Sequence, residues 1–565
     1  MAELDDRLTR LEREFAERGI EEGGPQDEDA LAFAIEELNE LRSRSRLVGT
    51  YMNCVVTTDT RDADAQARLS VVDTLSSRVG KLLTRLCAYI GGFDLESLPG
   101  SGLISDHRYF LERAKTRSQH LMSPGEEALA ADLRLTGATA WEKLHSDITS
   151  QLEVEVELAG GSRRLPMSAV RNLAYDPDRD VRRAAYQAEL GAWRASQVPL
   201  AACMNSIKGE VVTLCKRRKW DDPLDEALFG AAIDKQALEA MTSAAKSFFP
   251  VLRRYLRAKA RRLGLTRLAW YDIFAPVVGE ARTWRFEEAC DFVATHFGTY
   301  SERLGSFARQ AFNERWVDAE PRLGKVDGAY CASPRAGESR ILMNFKPVLG
   351  SVSTLAHELG HAYHNLCLAN RTELQKGTPM TLAETASIFC ETIVRRAALA
   401  QSTDEDKISI LEASLQGACQ VVLDIMSRFL FEQRVFVDRR ARELSPDELC
   451  EAMVWAQSET YGDGLDAEFL HPYMWAAKPH YYDPASFYNY PYMFGFLFGL
   501  GLFTRYQSAP DEFRAGYDDL LSSTGMADAA ALARRFGVDI RSEEFWRTSL
   551  DTVRADVEEF EALAG

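Results

Sequence analysis

"TLAHELGHAYHN", residues 354–365, sets three histidines and one glutamate within eight positions. The flanking "STLA" and "AYHNLCLA" carry no proline or glycine, so the whole stretch is expected to lie in one helix. A helix turns 100° and rises 1.5 Å per residue, which puts His357 and His361 about 40° apart and one turn along, close enough to share an ion. His364 stands roughly 10 Å along the axis from His357, too far for bonds of about 2 Å to the same ion. Glu358 completes the His-Glu-x-x-His pattern, in which two histidines bind zinc and the glutamate takes a proton from the bound water. The alternative is a pair of structural histidines on a buried helix.

A catalytic zinc needs a third protein ligand and one open position. The metzincin arrangement places a glycine seven residues and a histidine ten residues after the first histidine. Here those positions hold His364 and Cys367, so a carboxylate from a second helix is the better solution. "GTPMTLAETASIFCETIVRRAAL" (377–399) supplies one, with Thr378-Pro379 as the helix start and Glu384, Ser387, Ile388 and Glu391 along one face. Glu384 is the expected third ligand; its alternative is a capping box with Thr381. Glu391 is placed to orient a ligand histidine through the other ring nitrogen, or is an ordinary ion-paired glutamate. His364 lines the floor of the site, supports the second helix or is simply buried.

Composition bounds the rest. A chain of 565 residues, nearly half hydrophobic, can bury a large core in two lobes. The expected division is 1–195, a helical lobe with a small hairpin, and 196–565, the metal-bearing domain. "MAELDDRLTRLEREF" spaces Leu4, Leu8, Leu11 and Phe15 as a helix among charges, unlike a secretory signal. Ten scattered cysteines without a Cys-x-x-Cys pair fit reduced thiols, so a cytoplasmic location is expected. The apolar run Met493–Phe503 is short of the roughly 20 residues that span a bilayer and is expected to be a buried helix. A net charge of −18 repels polyphosphate, and the runs "CKRRKW" and "RAKARR" are expected to be solvated helix faces. Neither nucleic acid nor membrane is an expected partner.

Helical periodicity dominates, with stretches at about 28–60, 64–91, 125–151, 235–263 and 405–443, and another opening at Asp176 or Asp178. "LEVEVEL" (152–158) alternates as a strand and, with "AGGSRRLPM", reads as a hairpin. "SRILMNF" (339–345) is a short strand just before the histidines. Its open edge is expected to add an extended peptide as a further strand; a purely structural hairpin is the alternative. The fold class is therefore mainly α with a small β-sheet beside the histidine helix.

"LAHELGHAYH" followed by "LAETAS" and a further glutamate resembles the oligoendopeptidase F branch of the thimet oligopeptidase family of zinc peptidases. "DRDVRRAAY" (178–186), "WYDIFAPV" (270–277), "GKVDGAYC" (324–331), "ILMNF" (341–345) and "WAAKPHYYDPASFYNYPYMFG" (475–495) resemble that family's segments in the same order. The likeness covers roughly residues 165–500. It implies a two-lobed, zincin-like helical molecule with one zinc ion at the bottom of a deep central channel that admits short unfolded peptides. It also implies that Tyr492 and His480 hydrogen-bond the developing oxyanion and the substrate, with Tyr488 and Tyr490 beside them, and that Gly328, Ala329, Tyr330 and Asn344 belong to peptide-binding segments. The "DPAS" at 483–486 departs from the family pattern and leaves the individual tyrosine roles open.

The expected activity is zinc-dependent hydrolysis of internal bonds in short peptides. An exopeptidase, including a dipeptidyl carboxypeptidase, would use the same site, and a zinc-containing peptide-binding protein without turnover is the rival of another class. Monomer and homodimer are not distinguished.

Overall fold

Asp178 starts its helix as the periodicity predicts: its carboxylate accepts the Asp180 N–H, and Arg179–Arg217 runs unbroken for 39 residues. The computed structural model describes residues 1–278 and 282–564. Helices at Glu28–Thr58, Ala63–Ile90 and Lys235–Arg262 fall where apolar residues recur at helical spacing. The stretch expected at 125–151 is broken at Gly137 into Pro124–Thr136 and Ala138–Ser150. There the Glu210 carboxylate accepts the Ala138 N–H at 2.7 Å, capping the second helix from outside.

The described residues form two compact units, each discontinuous in sequence. The first joins Met1–Leu121, Arg282–Ala397 and Arg505–Val538; the second joins Met122–Ala281, Ala398–Thr504 and Asp539–Gly565. The expected boundary near residue 195 lies inside the Arg179–Arg217 helix, and two of the crossings between units, at 397/398 and 504/505, also fall within helices. Leu4, Leu8, Leu11 and Phe15 are all buried in the first unit's core with residues of Glu28–Thr58 and Ala63–Ile90. The predicted hairpin, β1 (Glu153–Leu158) and β2 (Gly161–Pro166), belongs to the second unit, where Val154 and Val156 enter a core with Trp193 and Trp475.

The helix expected at about 405–443 lies in that second unit as Asp404–Arg439, a run long and apolar enough to cross a membrane by length and composition. Just over half of its apolar window, 56%, is buried, as in the core helix of a globular unit. A π turn at Gln420–Asp424 interrupts it.

A three-stranded sheet in the first unit has the order β3 (Val317–Asp318), β5 (Glu338–Leu342), β4 (Tyr330–Arg335). β5 is therefore the centre and not an edge. The N–H groups of Ile341, Met343 and Phe345 donate to the carbonyls of Trp316, Asp318 and Ala319 at 2.8, 3.0 and 2.8 Å. This corrects the expectation of an open edge at 341–345: beside the histidine helix, the strand with no second strand partner among the described residues is β4, which pairs antiparallel with β5 on one side. β4 escaped sequence analysis because every residue of "YCASPR" except the last is half-buried, leaving no alternation to read.

Candidate metal centre

The helix Leu349–Cys367 presents His357 and His361 with their rings edge to face, centroids 4.9 Å apart. Both Nε2 atoms converge on one oxygen: His357 is 3.3 Å and His361 3.4 Å from Glu384 Oε2. The three candidate ligand atoms lie within 4.8 Å of one another. Two imidazoles and a carboxylate form a donor set suited to zinc with an open fourth position.

Glu384 reaches this point because its helix is interrupted there. A short turn, Met380–Ala383, stops; Glu384 has φ −86° and ψ 3°; Thr385–Gln401 then begins. The turn is preceded by Pro379, and the Glu384 carboxylate faces the imidazoles, so the capping-box alternative with Thr381 does not describe it. Ser387 Oγ donates to Glu384 Oε2 at 2.6 Å and steadies it. That partner stands three residues on, an ordinary same-face helix spacing that sequence analysis noted without assigning a role. Glu391 Oε2 lies 3.2 Å from His357 Nδ1, the position from which a carboxylate fixes ring orientation.

Electrostatics follow the geometry. Burial alone would push His357 down, but hydrogen bonds to Glu384 and Glu391 outweigh it and raise it to about 10. Burial pushes Glu384 up, and its bonds to the two imidazoles reverse this and hold it well below the usual carboxylate range.

Glu358 differs from its neighbours. It is 5% exposed, and its Oε2 has no hydrogen-bond partner among the described residues. Burial raises its pKa against the opposing pull of His357 and His361. A buried carboxylate oxygen left without a donor is costly and calls for a functional partner. Glu358 lines a cavity of about 420 Å³ together with His357, His361 and Glu384.

Gly360, within the motif, sets the distance between the two helices. A Cβ there would meet the backbone of the second helix, with Ser387 Cα at 2.6 Å and Ala386 O at 2.7 Å. Gly360→Ala is therefore expected to destabilise the first unit by about 1–3 kcal/mol and to weaken metal retention by parting Glu384 from the histidines. Thermal melts and metal content of the purified variant check both; a variant with unchanged melting and full metal content contradicts it.

The remaining first-unit candidates separate into wall and support. Ala329 and Tyr330 line the cavity, and Tyr330 Oη sits 2.6 Å from Thr57 Oγ1. Asn344 instead donates to the carbonyls of Val326 and Gly328 at 2.9 and 3.2 Å, holding the chain ahead of β4, where Gly328 has φ +84°. His364 reaches the cavity wall but is 4% exposed, with Nε2 set against Leu521 O at 3.1 Å and Thr524 Oγ1 at 2.9 Å. Burial pushes it down to about 4, so it is a neutral strut. Cys367 Sγ is directed at Asp518.

In the second unit, His480 Nδ1 lies 2.8 Å from Asn489 Oδ1, and Arg428 donates to that same oxygen at 3.0 Å. Arg428 in turn pairs with Asp424 of the π turn. The guanidinium fixes the amide so that its oxygen faces His480, which makes Nδ1 the protonated nitrogen and leaves Nε2 an acceptor. Burial lowers the pKa of His480, against the opposing hydrogen bond to Asn489. The Tyr488 ring lies tilted beside it, centroids 4.9 Å apart, and Tyr492 Oη is 3.4 Å from Tyr488 Oη. Tyr490 does not join them: it is 1% exposed and its hydroxyl is spent on the Ala227 carbonyl at 3.2 Å. The segment is not irregular throughout, since Tyr490 opens the helix Tyr490–Ser508, and a four-residue spacing brings 488 and 492 together while 490 turns inward. Sequence analysis missed Arg428 and Asp424, which no local pattern links to His480.

The model of peptidase family M3 matches residues 172–552, and a second, oligopeptidase F, matches residues 101–153. An oligoendopeptidase F homolog of Lactococcus lactis subsp. lactis (strain IL1403) is 23% identical, covering 81% of this chain and 77% of its own. Oligopeptidase PepF of Bacillus subtilis (strain 168) is also 23% identical, covering 81% and 69%. The crystal structure of oligoendopeptidase-F from Enterococcus faecium superposes with a TM-score of 0.73 at 18% identity, over 100% of this chain and 97% of that one. The chain belongs to peptidase family M3, a metallopeptidase family that implies zinc, and is oligopeptidase F-like.

Proposed function

We propose that the protein is a zinc-dependent oligoendopeptidase, holding one ion per chain on His357, His361 and Glu384 and hydrolysing internal bonds of short unfolded peptides. One observation carries this: three ligand atoms converge beside the buried, unpartnered Oε2 of Glu358 in a single cavity. When bound, zinc supplies a Lewis acid that lowers the pKa of a water toward about 7 and polarises a peptide carbonyl. Glu358 takes the proton of the attacking water and passes it to the leaving amine. Glu391 holds His357 in the orientation that turns Nε2 inward, and Ser387 does the same for Glu384.

The free edge of β4 binds the peptide main chain as an added strand, with Ala329 and Tyr330 on the cavity wall. Tyr492, with Tyr488 beside it, supplies the hydroxyl that stabilises the oxyanion, a role carried by the family resemblance. His480 acts as an acceptor for a substrate N–H, because Asn489 holds its other nitrogen. The same proposal places the enzyme in the cytoplasm, supported by ten thiols that form no disulfide.

Digestion of a mixed peptide pool, with product masses read with and without a chelator, tests the reading. Internal cleavage that the chelator stops and zinc restores is expected. Absence of products with zinc, or cleavage indifferent to the chelator, overturns it.

A further inference from the structure

The cavity that contains the metal centre has two cations in another part of its wall, Arg46 and Lys376. Both rest on one acid: Arg46 Nη2 donates to Glu373 Oε1 at 2.7 Å, and Lys376 Nζ to the same oxygen at 3.1 Å. A third cation, Arg42, lies in the field of this pair, lowered by burial and by Arg46 and raised by Glu373. Two positive side chains thus share one carboxylate oxygen, with a third cation within its field. The other carboxylates of the cavity do not redress this, since Glu384 is committed to the imidazoles and Glu358 is buried beside them.

The donor capacity is also unspent. A guanidinium offers five N–H groups and an ammonium three. Among the described residues, Arg46 and Lys376 each make one side-chain hydrogen bond, and the Nε atoms of Arg42 and Arg46 are buried without an acceptor. The Arg46 and Lys376 side chains are 27% and 12% exposed, and the single Glu373 oxygen is the one anionic partner of either among the described residues. In a chain of net charge −18, a local surplus of positive charge opening into a cavity is no reflection of composition.

We infer that Arg46 and Lys376 bind a carboxylate of the substrate, and that the enzyme prefers peptides carrying one within two or three residues of the cleaved bond. The proximity follows from the shared cavity: Arg46 and Lys376 line the same space of about 420 Å³ as His357, His361 and Glu384, so a carboxylate they hold belongs to the part of the peptide beside the cleaved bond. Charge-assisted hydrogen bonds from a guanidinium and an ammonium are the strongest this wall can offer, and a carboxylate is the group that accepts them. Its source is either the C-terminal carboxylate of a short peptide or an Asp or Glu side chain. This inference rests on the peptidase reading.

The test uses the full chain with zinc and one quenched peptide sequence in four forms: free acid or C-terminal amide, each with Glu or Gln two residues beyond the bond. A carboxylate form is expected to exceed its neutral counterpart by about 10- to 100-fold in kcat/KM, chiefly through KM. Dependence on the terminus identifies the α-carboxylate; dependence on Glu over Gln identifies the side chain. Lys376→Met and Arg46→Met each bring the ratio to about one, and Lys376→Arg preserves it.

Binding of the same four peptides, labelled, to Glu358→Gln protein is followed in parallel by fluorescence anisotropy, which needs no turnover. If nothing is cleaved but carboxylate forms bind more tightly, the peptidase reading fails and the carboxylate site stands. Equal binding of all forms, or a preference that survives both methionine variants, overturns the site.

Discussion

Glu358→Gln loses hydrolysis by about 10²- to 10⁴-fold while keeping its zinc. The two halves of this result have separate causes. Glu358 is not among the converging atoms of His357, His361 and Glu384, so its amide analogue leaves the ligand set intact. An amide of the same shape fills the same buried space but has no basic oxygen able to take a proton from water near neutral pH. Burial already disfavours the charge on Glu358, so the neutral variant is expected to melt no lower than the parent. Metal analysis beside kcat/KM on a quenched fluorogenic peptide reads both halves. Hydrolysis at the parental rate would falsify the assignment of Glu358 as proton acceptor, whereas loss of zinc with activity would mean that it acts through the metal.

Local spacing made most of this centre legible. His357, Glu358 and His361 share one helix, and their four-residue frame survives in the structure because nothing interrupts Leu349–Cys367. Glu384 was legible from the need for a third donor, although the break that aims it was not: "MTLAETAS" reads as continuous helix, and the interruption appears only with the backbone. What escaped depends on residues far apart in the chain. β4 is defined by pairing with β5, not by its own pattern. The donor state of His480 is decided by Arg428, fifty-two residues earlier, through the Asn489 amide. Tyr488, Tyr490 and Tyr492 look equivalent as letters, and only the start of a helix at Tyr490 separates the pair that meets from the one that is buried.

Glu384→Ala removes metal binding more severely than any change in the supporting groups. The histidines alone offer two nitrogens, and the oxygen lost is the one to which both point, at 3.3 and 3.4 Å. Removing an outer partner such as Glu391 costs about 10- to 100-fold in metal affinity, because the ligand atom remains and only its orientation loosens. Removing the ligand itself exceeds that range, so zinc retention is expected to fall in the order parent, Glu391→Ala, Glu384→Ala. Ser387→Ala belongs with Glu391→Ala, since it frees the carboxylate without deleting it. Competition with a chromophoric chelator measures the series, and circular dichroism confirms that each variant is folded. The Glu384→Ala protein is expected to regain little activity even in excess zinc, whereas Glu391→Ala recovers as zinc is raised. Equal zinc affinity for the parent and Glu384→Ala would remove the carboxylate from the ligand set and leave the two histidines to be explained as a structural pair.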